Sequence, residues 1–317
     1  MPGFIARRLV SAAAMLFVVA TLIFSILQVV PGDPAEMLLS SSGRSATPDV
    51  VASLREKMGL NKPVLTQYAD FMSDMAHLNF GTSIIDGSAI SKSIGERLPR
   101  TLELIVAAMI LALVVALPAG TYCALHPGGI FDVMCSWLSA LFLSVPVFVV
   151  GTLFIYFFAQ LLNLLPAGGY VAFDADPLHH LSCLVLPAVS VSIHLMAMIF
   201  RMVRSSVLET RSNDWVRTAK AKGLAWHIVV QRHILRNSLA PVITIVGLQF
   251  GVLLGSTVLV EYVYNWPGLS GLLVTAVNQR DFTVVRSVIM TVSAIFILIN
   301  LFVEIIYSLL DPRIRLG

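Results

Sequence analysis

The chain has 317 residues, of which 57% are hydrophobic and 12% charged, with a net charge of +3 and a mean hydropathy of +0.86. A soluble globular protein carries roughly 45–50% apolar and about 25% charged residues. These values therefore exclude a cytosolic enzyme, a disordered chain and a secreted disulfide scaffold, and they point to a chain that crosses a membrane several times. The net charge is too small to suggest nucleic-acid binding. Cys123, Cys135 and Cys183 form no Cys-x-x-Cys and lie in or beside apolar segments, so they read as small apolar filler.

A bilayer core of ~30 Å takes about 20 apolar helical residues. The charge map divides the chain accordingly. No residue between Arg8 and Asp33 is charged, which makes Leu9–Val30 the first span. It is expected to be an uncleaved anchor, because its end offers no small-x-small cleavage site. In the segment that follows, Ser40–Thr47 reads as a flexible loop. Pro48–Met58 reads as a short helix opened by Thr47 and closed by Gly59. Pro63–Leu78 reads as an amphipathic helix with Leu65, Tyr68, Phe71, Met72 and Met75 at helical spacing. The second span is Leu104–Cys123. The third, Val133–Leu162, is broken by Pro146 and exceeds one straight crossing, so tilt, a kink or an interfacial end must absorb the excess. His179–Arg201, Pro241–Val260 and Val285–Leu310 complete six spans. Tyr262–Asp281 is apolar but interrupted by Asn265-Trp266-Pro267-Gly268, and is expected to be re-entrant or surface-lying.

Six spans place both termini on one side. Arg7 and Arg8, Arg313 and Arg315, and the loop residues Arg201, Arg204, Arg211, Arg217, Lys220, Lys222, Arg232 and Arg236 all fall on that side. By the positive-inside rule this side is cytoplasmic, and Pro31–Pro99 is external. The basic loop reads as a helix–turn–helix elbow. One helix runs from Ser206 to Lys222, with Gly223 at its C-cap. A second starts near Ala225 and places Trp226, Val229, Val230 and Ile234 on one face and Arg232 and Arg236 on another. From pattern alone the elbow is either a solvated charge face that fixes topology or a docking knob for a cytoplasmic partner, with the small residues Ala219, Ala221 and Gly223 at its turn.

Arg217-Thr218-Ala219-Lys220-Ala221-Lys222-Gly223, followed by His233-Ile234-Leu235-Arg236-Asn237-Ser238-Leu239-Ala240-Pro241, resembles the EAA loop of ABC importer permeases in the form of the dipeptide/oligopeptide/nickel group. Further strings match in order: Pro31-Gly32-Asp33-Pro34, Gly59-Leu60-Asn61-Lys62-Pro63, Leu78-Asn79-Phe80-Gly81-Thr82-Ser83, Pro99-Arg100-Thr101-Leu102-Glu103-Leu104, Leu165-Pro166-Ala167-Gly168-Gly169, Asn265-Trp266-Pro267-Gly268-Leu269, Arg280-Asp281-Phe282 and Leu310-Asp311-Pro312-Arg313-Ile314-Arg315.

The resemblance implies an all-α integral membrane protein of the bacterial cytoplasmic (inner) membrane. It would have six transmembrane helices, a type I importer core of five helices plus an N-terminal helix, and a small external helical insert. The divisions are residues 1–30 for the N-terminal helix, 31–99 for the insert and 100–312 for the core, with the coupling loop at 204–240. The implied function is a non-enzymatic permease subunit that passes dipeptides or oligopeptides by alternating access. The implied partners are a second similar permease, two ATP-binding subunits and an external substrate-binding protein. No cofactor is implied for this chain, since ATP and magnesium belong to the partner subunits. The implied coupling residues are Arg217, Thr218, Ala219, Lys220, Ala221, Lys222, Gly223, Asn237 and Pro241. The first Glu of the EAA pattern is replaced by Arg217, as is frequent in the peptide group. Nickel or another small solute is the alternative cargo, and a passive channel or scaffold the alternative function.

The chain has no Gly-x-x-x-x-Gly-Lys-Ser/Thr, so it does not itself cradle nucleotide phosphates. Gly247, Gly251 and Gly255 form a small-residue stripe expected to face the partner permease across the path. Glu261, at the end of span five, is either a gate residue or an interfacial anchor. His194 and Glu304 read as satisfied interhelical groups, and His179-His180 lacks a third metal ligand. Gly268-Leu269-Ser270-Gly271 matches Gly-x-Ser-Gly of intramembrane proteases, but no histidine follows His233 to activate the serine.

Overall fold

The computed structural model describes residues 2–29, 33–41 and 47–310. Among the described residues all regular structure is helical, apart from one isolated antiparallel bridge between Thr82 and Ala89. In chain order the helices are α1 (Pro2–Val29), α2 (Pro34–Ser41), α3 (Pro48–Lys57), α4 (Val64–Ala76), α5 (Ile90–Leu125), α6 (Ile130–Ser144) and α7 (Val147–Phe154). The last of these runs into a π-helical turn, Ile155–Leu161. Then come α8 (Pro177–Ser212), α9 (Asp214–Ala221) and α10 (Trp226–Ile228), which continues as a second π-helical turn, Val229–Leu235. The chain closes with α11 (Arg236–Ser256), α12 (Val258–Val263), α13 (Leu269–Asn278) and α14 (Phe282–Leu310).

Five helices are long and apolar enough to cross a bilayer, and six spans result if the bent pair α6–α7 counts as one. The pair bends by 102°. Proline lacks the N–H that would continue α6 and pushes the preceding residue out of the helical region. Val145 accordingly sits at φ −96°, ψ 127°. The excess length of the third span is thus absorbed at the kink, where the chain turns through about a right angle. With 15 residues, α6 reaches only ~22 Å and cannot cross alone.

The chain forms two compact units, Met1–Thr101 with Pro267–Leu301, and Leu102–Trp266 with Phe302–Gly317. The first unit contains residues 31–99 whole, and residues 100–312 are shared between the two units.

In the first unit the α4 stripe packs on α1. Phe71 joins Ala20, Ile23 and Met290 in one cluster, and Tyr68 Oη meets Thr21 Oγ1 at 2.8 Å. Leu65, expected on that stripe, is 82% exposed. The loop expected over Ser40–Thr47 starts later, because α2 extends to Ser41, and residues 42–46 lie outside the described residues. The segment expected to be re-entrant or surface-lying contains α13, whose Leu269 and Ala276 are buried with Ile90, Ile94, Val284 and Val288. Asp281 closes this corner. Its Oδ2 accepts from Ser83 Oγ at 2.7 Å and Ile84 N at 3.2 Å, and its Oδ1 from Val284 N at 3.2 Å.

In the second unit α8 is the central helix. It has 36 residues, ~54 Å at 1.5 Å each, and its most apolar window is 67% buried. Asp176 caps it, accepting from Leu178 N and His179 N, both at 3.1 Å. Small residues let neighbours approach closely. A Cβ on Gly120 of α5 would lie 2.9 Å from Val203 Cβ of α8. The thiols of Cys123 and Cys135, distant in sequence, are hydrogen-bonding neighbours here.

Candidate functional site

The two ends of α8 carry the two polar assemblies of the second unit. At its C-terminal end is the basic elbow. The sequence suggested one helix from Ser206 to Lys222. The structure instead runs α8 to Ser212 and restarts at α9, because Asn213 is extended, at φ −68°, ψ 145°. Val216 and Ala219 of α9 are buried, while Arg217, Thr218, Lys220, Ala221, Lys222 and Gly223 are exposed. Of the small residues at the expected turn, Ala219 therefore belongs to the chain's own packing. Gly223 has φ +76° and leads the chain back, as a left-handed residue after a helix does.

Lys220 Nζ lies 4.1 Å from the centroid of the Trp226 ring, which fixes one cation against the returning helix. Arg217 pairs with Asp214 at 3.5 Å, with both side chains almost fully exposed. Asn237 Nδ2 donates to His233 O at 2.7 Å, and Pro241 stands inside α11. Of the expected apolar face, Val229 and Ile234 are fully buried, whereas Trp226 is 42% exposed.

The elbow is fastened to the spanning helices by side chains of α8. Arg204 grips Asp132 bidentately, Nε to Oδ1 at 2.6 Å and Nη2 to Oδ2 at 2.8 Å. Arg211 Nη1 donates to the C-terminal carbonyls of α5, Ala124 O at 3.1 Å and Leu125 O at 3.0 Å, which suits a cation at a helix C-terminus. Ser206 Oγ donates to Ser238 O of α11 at 2.9 Å. The α5–α6 turn, α8 and α11 are thereby tied together at the root of the elbow.

At the other end of α8 sits a clasp around His180, which is 1% exposed. Its Nδ1 donates to Val171 O at 2.7 Å. A carbonyl can only accept, so Nδ1 carries a proton. Nε2 faces Glu103 Oε1 at 2.6 Å. Tyr170, Phe173 and Trp266 stand edge-on around the ring. Gly169 N donates to Tyr264 O at 2.9 Å. Tyr264 Oη donates to Gly151 O at 3.0 Å and lies 2.8 Å from Ser190 Oγ. Replacing His180 by Leu is expected to strand Glu103 and the Val171 carbonyl. Two hydrogen bonds, one of them charge-assisted, set the loss at roughly 2–4 kcal/mol. Glu103→Gln should cost about half as much, and thermal unfolding of the purified chain would show the order.

The pathway candidates do not share one environment. A Cβ on Gly247 would lie 2.5 Å from Val303 Cγ1 of α14. Gly251 is buried, and Gly255 has nothing within 4 Å of such a Cβ. Gly247 therefore serves packing within this chain. Gly247→Leu is expected to destabilise by about 1–3 kcal/mol through overpacking, and Val303→Ala in the same chain should recover most of it in a thermal-shift assay. Glu261 is buried in α12, and its carbonyl accepts from Trp266 N at 2.8 Å. His194, partly buried in α8, keeps a buried Nδ1 without a hydrogen bond. Ser270 is buried in the first turn of α13. Among the described residues no three His, Cys, Asp or Glu converge on a point. The strings at Pro31-Gly32 and Asp311–Arg315, with Arg313 and Arg315, lie outside the described residues.

The sequence missed the Asp132–Arg204 pair and the Glu103–His180 pair. A signal existed for the first, since Asp132 is the only acid between Glu103 and Asp174. A lone acid beside an apolar span calls for a partner.

This is a multi-span helical membrane protein with a basic elbow tied to its spanning helices. Comparison with known proteins agrees. The family model described as binding-protein-dependent transport system inner membrane component matches residues 116–316, and the N-terminal model of the same systems matches residues 1–105. The chain belongs to this family, a family of multi-pass inner-membrane proteins that work with ATPase and substrate-binding partners. It is 39% identical to "Probable peptide ABC transporter permease protein y4tP" of Sinorhizobium fredii, over 98% of this chain and 99% of that protein. It is 36% identical to the dipeptide transport system permease protein DppB of Alkalihalophilus pseudofirmus, over 98% of each chain. It is 35% identical to the glutathione transport system permease protein GsiC of Escherichia coli, over 99% of each. The fold is similar to that of a chain of the inward-facing MetNI methionine ABC transporter, with TM-score 0.57 and 18% identity over 69% of this chain and 96% of that one.

Proposed function

We propose that the chain is a permease subunit of an ATP-driven importer and that its cargo is peptide. The observation that carries the first part is the rooted elbow. A short helix with exposed Arg217, Lys220 and Lys222 is joined through Arg204, Ser206 and Arg211 to three helices of the second unit. A push on α9 is therefore transmitted to α8 and the α5–α6 turn as one body. The peptide cargo rests on the names of the relatives, which carry peptides, dipeptides or glutathione.

In this reading Arg217 to Gly223, with Asn237 and Pro241 behind them, seat in an ATPase cleft. ATP and magnesium are held by two such subunits and not by this chain. A substrate-binding protein delivers cargo on the insert side, and the termini lie in the cytoplasm. The open flank at Gly255 meets a second permease, and Glu261 lies near the gate that the pair forms.

Co-purification from the native membrane tests this, with wild type beside Gly223→Pro. Proline cannot take the φ of +76° found at Gly223, yet nothing lies within 4 Å of an added Cβ there. The turn should break while the membrane part stays folded. Wild type is expected to bring two ATPase chains and a second permease, and to support uptake of a labelled dipeptide. The variant should keep the permease, lose the ATPases and take up nothing. ATPases retained in full by the variant would place the dock elsewhere.

A further inference from the structure

The first unit holds a cavity of about 1070 Å³ that the importer mechanism does not use. One wall is apolar and comes from the last turns of α1, with Ile23, Phe24 and Leu27. The insert lines it too, with Glu56, Asp70 and Asp74 and with Lys62, and Gln28 of α1 adds a polar group. Arg286 in the second turn of α14 also lines it. The guanidinium stands 5.5 Å over the Phe71 ring, and its Nε is buried without a hydrogen bond. The two acids nearest to it are engaged elsewhere. Asp74 accepts from Asn79 at 3.0 Å, and Asp281 from Ser83 and two backbone amides. Asp70 is held by Lys62 at 2.5 Å.

A buried guanidinium donor without an acceptor costs on the order of 1–3 kcal/mol or more, so the site calls for an anion. The acids of the insert disfavour a ligand that is only anionic. Together they call for a zwitterion, with its anion on Arg286 and its ammonium toward Asp74 and Glu56. The level of the cavity decides its source. Arg286 lies near the end of the Phe282–Ile305 span, and Ile23–Leu27 near the end of the Ala6–Val29 span. A bilayer holds its phosphates just beyond the ~30 Å hydrocarbon core, level with the ends of spanning helices. The apolar wall belongs to a helix whose other face is open to lipid, with Leu22 and Ile26 55% and 63% exposed.

We propose that this cavity binds a phospholipid with a phosphoethanolamine headgroup, phosphate on Arg286 and ammonium on the acids of the insert. The site fastens α1 and the insert to the start of α14 through the lipid. Phosphatidylcholine should bind less well, because a quaternary ammonium has no N–H to donate to Asp74. Phosphatidylglycerol should bind least, because its glycerol hydroxyls can donate to the acids but bring no positive charge to them.

The test is native mass spectrometry of the full chain, delipidated and then titrated with phosphatidylethanolamine, phosphatidylcholine or phosphatidylglycerol. One phosphatidylethanolamine is expected to stay bound at least fivefold more tightly than phosphatidylglycerol. Arg286→Gln should weaken it tenfold or more, while Arg286→Lys keeps part of the affinity. Asp74→Asn, which leaves the arginine in place, should erase the preference for phosphatidylethanolamine over phosphatidylglycerol. Equal retention of all three lipids by wild type and both neutralised variants would overturn the proposal. Displacement of the lipid by millimolar Ala-Ala, but not by free phosphoethanolamine, would overturn it too and assign the cavity to a peptide.

Discussion

Arg204→Met is expected to destabilise the chain by roughly 2–4 kcal/mol, while Arg204→Met combined with Asp132→Asn loses only about 1 kcal/mol. The reason lies in what each change leaves behind. The Asp132 side chain is 4% exposed and the Arg204 side chain 31%. With arginine gone, the carboxylate keeps one donor, Gly128 N at 2.9 Å. Breaking a buried pair from one side costs about 3–5 kcal/mol, because a charge is left buried alone, whereas removing both charges is often close to neutral. The partial exposure of Arg204 admits water and lowers the expected figure. Thermal unfolding of the two variants in one detergent separates the cases. A double variant as unstable as the single one would show that the pair matters through shape and not charge. Function should follow a different order. Both variants loosen the α5–α6 turn from α8, so both should lose peptide uptake relative to ATP hydrolysis by the assembled complex.

The helices were legible wherever charge stopped and apolar residues ran for 20 positions. The ends were not. The charged stretch Lys92–Arg100 lies outside the second span as read from the sequence, Leu104–Cys123, yet α5 begins at Ile90 and runs through it for 36 residues. Hydropathy marks where a helix meets lipid, and a helix does not stop at that boundary. The break at Asn213 was missed for a related reason. Residues 206–222 are continuous in helix propensity, and only a capping residue in their midst, Asn213 before Asp214, marks a new start. The bend at Pro146 was legible as a kink but not as a 102° turn, because proline sets where a helix yields and packing on α8 sets how far.

The family strings were legible as strings, and their purpose was not. Glu103 and Gly168-Gly169 come from strings over 60 residues apart, and Trp266 from a third almost 100 residues further on, yet all three join the His180 clasp. Thr101 Oγ1 accepts from Leu269 N at 2.9 Å, which joins two strings in the first unit. Ser83 and Asp281 join two more. Pairing of this kind lies in the fold, since no spacing rule links residues so far apart. The glycine stripe divides between two environments for the same reason. Three glycines four residues apart share a helix face, but Gly247 meets Val303 while Gly255 meets open space.

Gly168→Ala is expected to leave little correctly folded chain, and Gly169→Ala to cost only about 1–3 kcal/mol. The two adjacent glycines fail for opposite reasons. A Cβ on Gly168 would lie 2.1 Å from Tyr264 O and 2.7 Å from Tyr264 C. Both are backbone atoms at the end of α12, so no rotamer change makes room. The loop would have to lift, which breaks the Gly169 N to Tyr264 O bond and draws Val171 O from His180 Nδ1. Gly169 has φ +105° with nothing within 4 Å of a Cβ. Alanine there meets only backbone strain of the usual size for a left-handed residue. Detergent-solubilised yield and gel-filtration profile would rank the two. In the alternating-access cycle proposed above, this clasp would hold α5, α8 and α12 together while the body moves. Gly169→Ala should therefore retain most peptide uptake, and any Gly168→Ala chain that does reach the membrane should retain almost none.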